Sequence, residues 1–492
     1  MLEHALHRSV AFGAIAGLAA ANVVLGLMLA TARTEAVTFA LLPVIAVAVG
    51  SLIASSRAIL IFAAFAINLF TPLPLTDALP LGTGIQLYPS DILVLLAVGS
   101  WVAAWLVNRP EARPSSLRTR LLGWPLLLFG ITLFATILQG HERYGEQFVG
   151  APLRLLLYAG IAAAVTDLKP RDAYKWLVVV FYAGTVWQAL VALYGYATGT
   201  SATEQVVLST GGERVLAGST AMFMAGALLL ALLNLERDRS AGRTALHLTM
   251  AMFATFALVS TFQRTTFAAV GLLVPLFLLA FRRIGLRAAA YLPLLAPFLV
   301  LVALLVPKAD PTLFPTLTQR ITASPSTDAT ATWRLKAYAS VWTQVREAPV
   351  QGVGFGRPAR FVSKGVRYNV EQDPHNQFLY LWAGGGTLLF GSFVLLLAVY
   401  LIESCRRFRT GTSDERRLIF WAVSLWFVFV VNSLTGIILT EPHLLLTFWI
   451  LMLLPMTVHP RAASDFASEQ TASATNRGEH AEGTAWPSPL SH

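Results

Sequence analysis

"ALHLTMAMFATFALVSTFQRTTFAAVGLLVPLFLLAF", residues 245–281, holds one formally charged residue, Arg264, in about 37 positions. As a single helix it would extend about 55 Å, well beyond the ~30 Å hydrocarbon core of a bilayer. A run this apolar has to enter a membrane, and one this long has to fold back on itself. The bend is expected at "STFQRTTF", residues 260–267. An arginine at such a bend is costly and points to a functional site; its plainer role is a snorkelling interfacial side chain.

The same pattern fills the chain. Of 492 residues, 56% are apolar and only 13% charged, against about a quarter charged in soluble domains. The apolar runs are continuous and not alternating, which argues for helices and against a β-barrel. Spans are expected near 10–31, 36–54, 57–72, 91–107, 121–138, 151–166, 174–197, 216–235, 245–261, 265–281, 288–306, 377–402, 418–438 and 441–458. That gives an all-α polytopic integral membrane protein with about 14 transmembrane helices. Twelve is the alternative, since the run at 57–72 is short and the C-terminal pair is tight. The predicted organisation is eleven spans in 1–306, a large loop at 307–376, three spans in 377–458, and a disordered tail at 459–492.

The formal charge of +10 would suggest nucleic acid in a soluble protein. Here Lys and Arg gather in alternate short loops, a signal of membrane orientation. Loops holding Arg109 to Arg120, Lys169 to Lys175, Arg237 to Arg243, Arg282 to Arg287 and Arg406 to Arg417 are expected in the cytoplasm, with both termini. The loop at 307–376 then lies outside. Within it, "TATWRLKAYASVWTQVREAP" spaces Trp333, Tyr338, Val341, Trp342 and Val345 as an amphipathic helix that Pro349 ends. "GVGFGRP" makes a glycine turn and lacks the strand and helix of a dinucleotide loop. Cys405 is the only cysteine, so neither an intramolecular disulfide nor a Cys-based metal site can form.

The polar anomalies collect on the outer side. In "EQDPHNQFLYLWAGGGTLLFG", residues 371–391, Asp373 is expected to cap a helix and Pro374 to open it. His375 and Asn376 would follow in the first turn. A helix start disfavours a second positive charge, which suits a neutral ring able to accept a proton. The plainer role for His375 is an interfacial cap. Arg214, in "GGERVLAGST", and Arg154, in "GAPLRLLLY", fall on the same side as Arg264. Gly384, Gly385 and Gly386 allow close helix packing or a bend. No acidic pair resembles a metal site, and none is expected. Arginines that neutralise a pyrophosphate, beside a histidine that deprotonates a hydroxyl, suit group transfer from a lipid-anchored diphosphate. Direct displacement would invert a sugar's anomeric centre.

Together, "RLKAYASVWTQVREAPVQGVGFG" and "DPHNQFLYLWAGGGTLLFG" resemble the hallmark region of the O-antigen ligase and polymerase family. The shared features are a Pro-x-x-Gly-x-Gly turn at Pro349, Gly352, Gly354 and Gly356, and a His-Asn pair, His375–Asn376, before a glycine-rich span. The resemblance implies a GT-C-type glycosyltransferase in the bacterial inner membrane with its active site facing the periplasm. It implies transfer of a glycan from undecaprenyl pyrophosphate, without cofactor or metal, to the lipid A–core of lipopolysaccharide. His375 would be the catalytic base, Arg264, Arg214 and Arg154 the pyrophosphate ligands, and Asn376 a supporting residue. Gln263–Arg264–Thr265 departs from the family's Ser-Arg-Gly-like bend, and "AGST" after Arg214 departs from its common Pro-Asn pair. The alternatives are an O-antigen polymerase, a protein O-oligosaccharyltransferase and, from another class, a lipid-linked glycan transporter. A non-catalytic membrane scaffold would need neither His375 nor Arg264.

Overall fold

A computed structural model describes residues 58–70, 79–80, 86–97, 120–145, 150–161, 170–198, 215–238, 240–280, 329–370, 375–436 and 438–458. The expected spans at 10–31, 36–54 and 288–306, and the tail, lie outside these. The described helices are α1 (Ala58–Leu69), α2 (Arg120–Tyr144), α3 (Gly150–Leu157), α4 (Pro170–Thr198), α5 (Thr220–Arg237), α6 (Ala241–Ser260), α7 (Arg264–Ala280), α8 (Ala329–Glu347), α9 (Gln377–Thr410), α10 (Ser413–Ser433) and α11 (Pro442–Leu453). A two-residue pairing joins β1 (Leu79–Pro80) to β2 (Gln86–Leu87), and β3 (Ala359–Ser363) pairs antiparallel with β4 (Val366–Val370). Among the described residues six helices are long and apolar enough to cross a membrane. The protein is a multi-pass, mostly helical membrane protein.

Helix α5 is buried on nearly every side, which its all-round apolar sequence requires. It packs against α6, α10, α4 and α1. On α10, Trp421 donates its indole N–H to the Gly226 carbonyl of α5 at 2.9 Å. Phe65 of α1 and Phe181 of α4 stand against that indole, with centroids 5.9 and 5.1 Å away. Two expected spans are described only in part. The described part of α1 has twelve residues; Gln188 satisfies its terminal Leu69 carbonyl at 2.7 Å. Of the span expected at 151–166, the described residues form α3 and a 3-10 turn at Tyr158–Ile161.

One end of the bundle carries the basic connections. Arg237 and Arg417 reach Asp414 at 3.5 and 3.3 Å, so the α5–α6 and α9–α10 connections meet there. Arg407, almost wholly buried, binds Glu403 at 2.9 Å and the Met456 carbonyl at 2.7 Å, which ties down the chain after α11. The starts of α5, α7 and α9 and the end of α10 therefore lie at the opposite end.

The element that shapes that opposite end is a break in α9. Gly386 has φ 63° and ψ −164°, so the 34-residue helix is two helices joined at a kink. The glycine turn at 348–356 inserts there. Val353 N–H donates to the Ala383 carbonyl at 2.8 Å, and Gly354 N–H to the Gly384 carbonyl at 2.9 Å. In return Thr387 donates its N–H and its hydroxyl to the Pro349 carbonyl, both at 2.8 Å. The peptide groups freed by a break in a buried helix need such partners. The end of α2 clamps the other side: Gln139 donates to the Gly352 carbonyl at 3.2 Å, and Arg143 and Tyr144 to that of Val353 at 3.1 and 3.3 Å. At Gly352 (φ 73°) an added Cβ would lie 2.1 Å from the Gly384 oxygen.

After the turn comes a hairpin the sequence reading passed over. Its turn is Lys364–Gly365, both left-handed at φ 50° and 79°. Two such residues make a type I′ connection. Helix α8 forms where the spacing places it, ending at Glu347 just before Pro349. Its Ala337, Val341 and Val345 are buried against β3 and the start of α9, while Trp342 and Leu335 stay exposed.

At Gly386 an added Cβ would meet the Val350 oxygen at 2.1 Å, whereas Gly391 in the same helix faces open space. Gly386→Ala is expected to cost about 3 kcal/mol or more, and Gly391→Ala nothing. Thermal midpoints of the purified protein in detergent check this.

Candidate functional site

The reading of residues 373–376 needs correction. Asp373 and Pro374 lie outside the described residues, and the helix starts three positions later than they suggest. Asn376 is the cap of α9: its Oδ1 accepts from the Leu379 N–H at 3.0 Å, the usual reach of a capping side chain. His375 precedes the cap and has φ 52°, outside any helical turn. Side chains with a Cβ seldom occupy that region, and those that do often belong to sites held by their surroundings. The Tyr338 hydroxyl of α8 donates to the His375 carbonyl at 2.8 Å. The His375 ring, half-buried, stands against Trp333 with centroids 5.2 Å apart.

The same Tyr338 hydroxyl lies 3.1 Å from the Leu434 carbonyl, just past the end of α10. Two residues earlier on that helix, buried Asn432 receives the turn between α6 and α7. Its Oδ1 accepts from Thr265 at 2.8 Å, Thr266 at 3.1 Å and Gln263 at 3.4 Å, and its Nδ2 donates to Val428 O at 2.8 Å. Phe262, buried with φ 51°, turns the chain there, and Arg264 is the first residue of α7. The expected break in the 245–281 run is therefore present at the expected residues. The end of α10 joins the two candidates: Leu434 is tied to the His375 segment and Asn432 to the Arg264 segment.

Arg154 has a partner the sequence reading did not consider. Its Nε lies 3.1 Å from Asp91, and its guanidinium stands 4.8 Å over the Tyr88 ring. Asp91 also accepts from the Tyr158 hydroxyl and, at 2.9 Å, from the Tyr88 N–H. The signal available was an acid opening the apolar run "SDILVLLA", an expensive placement unless paired. Helix α3, which carries Arg154, packs on the 3-10 turn Ile438–Thr440. Leu439 N–H in that turn donates to Gln377 at the start of α9, at 3.2 Å. Arg214 lies outside the described residues. Among the described residues no group of three or more His, Cys, Asp or Glu is arranged to hold a metal.

Asn432→Leu strips Gln263, Thr265 and Thr266 of their common acceptor. Orphaned buried donors cost about 1–3 kcal/mol each, so a loss of about 2 kcal/mol or more is expected. Asn432→Asp keeps the acceptor and is expected to recover part of it. The thermal midpoints of both variants test the joint.

No curated protein matches the chain. The family model described as O-antigen ligase matches residues 247–394. That stretch runs from α6 through Arg264, α7, α8, the hairpin and His375 to just past the break in α9, leaving Arg154 and Arg214 outside. The match agrees with the resemblance carried by the motifs and is consistent with the O-antigen ligase and polymerase family.

Proposed function

We propose that this chain is a lipid-linked glycan ligase. It would transfer a glycan from undecaprenyl pyrophosphate to lipid A–core at the periplasmic face of the bacterial inner membrane. The observation that carries the reading is the joint at α10. Tyr338 reaches both the carbonyl of His375, a histidine in a rarely used backbone conformation, and that of Leu434, while Thr265, next to the arginine that opens α7, bonds Asn432 two residues away. The family match over 247–394 supports the same class of reaction.

In this reading His375 accepts the proton of an acceptor hydroxyl. The freed oxygen attacks the anomeric carbon, and the bond from that carbon to the pyrophosphate oxygen breaks with inversion. The leaving pyrophosphate takes the electron pair. Arg264 neutralises it, aided by the amides at the N-terminus of α7, an end that favours anions. Arg154 faces Asp91, so an anion that reached it would share its charge with that carboxylate. Arg214 is assigned to the anion from sequence alone. The reaction calls for no metal, since guanidinium groups supply the positive charge.

The test is a transfer assay with purified protein, undecaprenyl-pyrophosphate glycan and either lipid A–core or a second lipid-linked repeat. Product with lipid A–core is expected. Product only with the second repeat would mark a polymerase. His375→Ala is expected to lower turnover about a hundredfold or more, the range of general-base catalysis. Full activity would remove the base. His375→Gly separates ring from backbone: it should be as inactive as Ala, yet more stable by about 1 kcal/mol because glycine accepts φ 52°. Unchanged activity in Arg264→Ala would remove the anion role.

A further inference from the structure

We propose that the seam between α8 and β3 is a saccharide-binding track for the part of a glycan behind the reacting sugar. The inference rests on the transferase reading above. On α8, Trp333, Ser340, Gln344 and Glu347 recur at intervals of seven, four and three residues, which lays them in one stripe. Strand β3 runs along it: Ser340 donates to the Arg360 carbonyl and Gln344 to that of Pro358, both at 3.0 Å.

The end of the stripe nearest His375 is aromatic. The Trp333 ring meets His375 at 5.2 Å, Phe361 at 5.3 Å and Tyr368 at 5.9 Å, and Phe361 lies flat on Tyr368 at 5.3 Å. All four rings are half-buried, so each keeps part of its surface open. Flat apolar rings with polar edges suit the C–H face of a pyranose. The far end is polar. A cavity of about 410 Å³ there is lined by Tyr144, Ser340, Thr343, Glu347, Arg357 and Arg360, within the usual range for small-ligand sites. Arg357 and Glu347 are ion-paired across it. Hydroxyls, a carboxylate and guanidinium groups together offer the mixed donors and acceptors that sugar hydroxyls require. From Trp333 to Glu347 the helix rises about 21 Å, room for several linked sugars. An interfacial aromatic belt alone would account for the rings and not for the cavity.

The test uses the full chain in lipid nanodiscs, with donors carrying one or several repeats and, separately, acceptors with short or long cores. Wild type is expected to favour the longer glycan, and the arm that shows the preference names its source. Thr343→Trp grows bulk into the cavity from an exposed position. It should cut the long-to-short ratio of kcat/KM about tenfold, through KM. Tyr368→Ala should raise KM about tenfold, whereas Leu335→Ala, on the exposed opposite face of α8, should keep the wild-type ratio. An equal ratio in wild type and Thr343→Trp, or no length preference in wild type, overturns the track and leaves the transferase standing. Ligand-observed NMR with the free oligosaccharide gives the converse. Binding that Thr343→Trp abolishes, without transfer to any acceptor, keeps the track and sinks the transferase.

Discussion

A helix that breaks leaves peptide groups without their helical partners, and α9 breaks at Gly386. The rest of this end of the molecule follows from how those groups are satisfied. Two carbonyls of the first half and two amides of the second, those of Thr387 and Leu388, are met by the turn at 348–356, inserted like a short strand. The insertion works only because both partners lack side chains at the contact. Gly352 of the loop meets Gly384 and Gly386 of α9; Gly386 faces the Val350 carbonyl and Gly384 the Phe355 ring; Gly354 and Phe355 lie against Gly140 of α2. Each of these contacts would otherwise place a Cβ between 2.1 and 3.2 Å from a backbone atom or ring. The fit is a backbone joint among three parts of the chain.

Once that joint is fixed, the site has little freedom. The chain enters the turn from α8 and leaves it into the hairpin, so both must stand beside the start of α9. Tyr338 can then reach the carbonyls of His375 and Leu434 together. That bridge ties the loop to the last turn of α10, whose Asn432 already holds the α6–α7 turn. The position of His375 depends on tertiary hydrogen bonds and on the cap at Asn376. Its left-handed backbone is the local cost of that arrangement.

Much of this was legible in the residues, for identifiable reasons. The bend at Arg264 followed from length alone, because about 37 apolar residues cannot be one span. The amphipathic helix and its end at Pro349 followed from spacing; the three glycines allowed either close packing or a bend, and composition alone did not decide between them. The cap of α9 was misplaced because Asp373–Pro374 is itself a good start signal; Asn376 competes from three residues on, and only the fold decides between them. The hairpin hid behind charges, although Lys364–Gly365 between alternating residues is a turn signal in its own right. The clamp by Gln139, Arg143 and Tyr144, and the Asp91–Arg154 pair, could not be read. They join positions 213 and 63 residues apart through single contacts, and nothing local in the sequence marks a long-range partner.

The arginines show why a count of positive charges is a poor guide to an anion site. Arg407 is sealed among Glu403 and the last carbonyls of the chain's described part, and its charge is spent on holding that segment. Arg154 faces a carboxylate that also takes the Tyr158 hydroxyl. A phosphate brought to it would meet the repulsion of Asp91 as well as the attraction of the guanidinium. Arg264 differs in its neighbours. Gln263, Thr265 and Thr266 all direct polar groups to Asn432, which holds the backbone of that turn still. A guanidinium at the first position of a 17-residue helix then adds to the positive end of that helix. The anion role proposed for Arg264 rests on that position at a helix start, where the backbone itself favours negative charge.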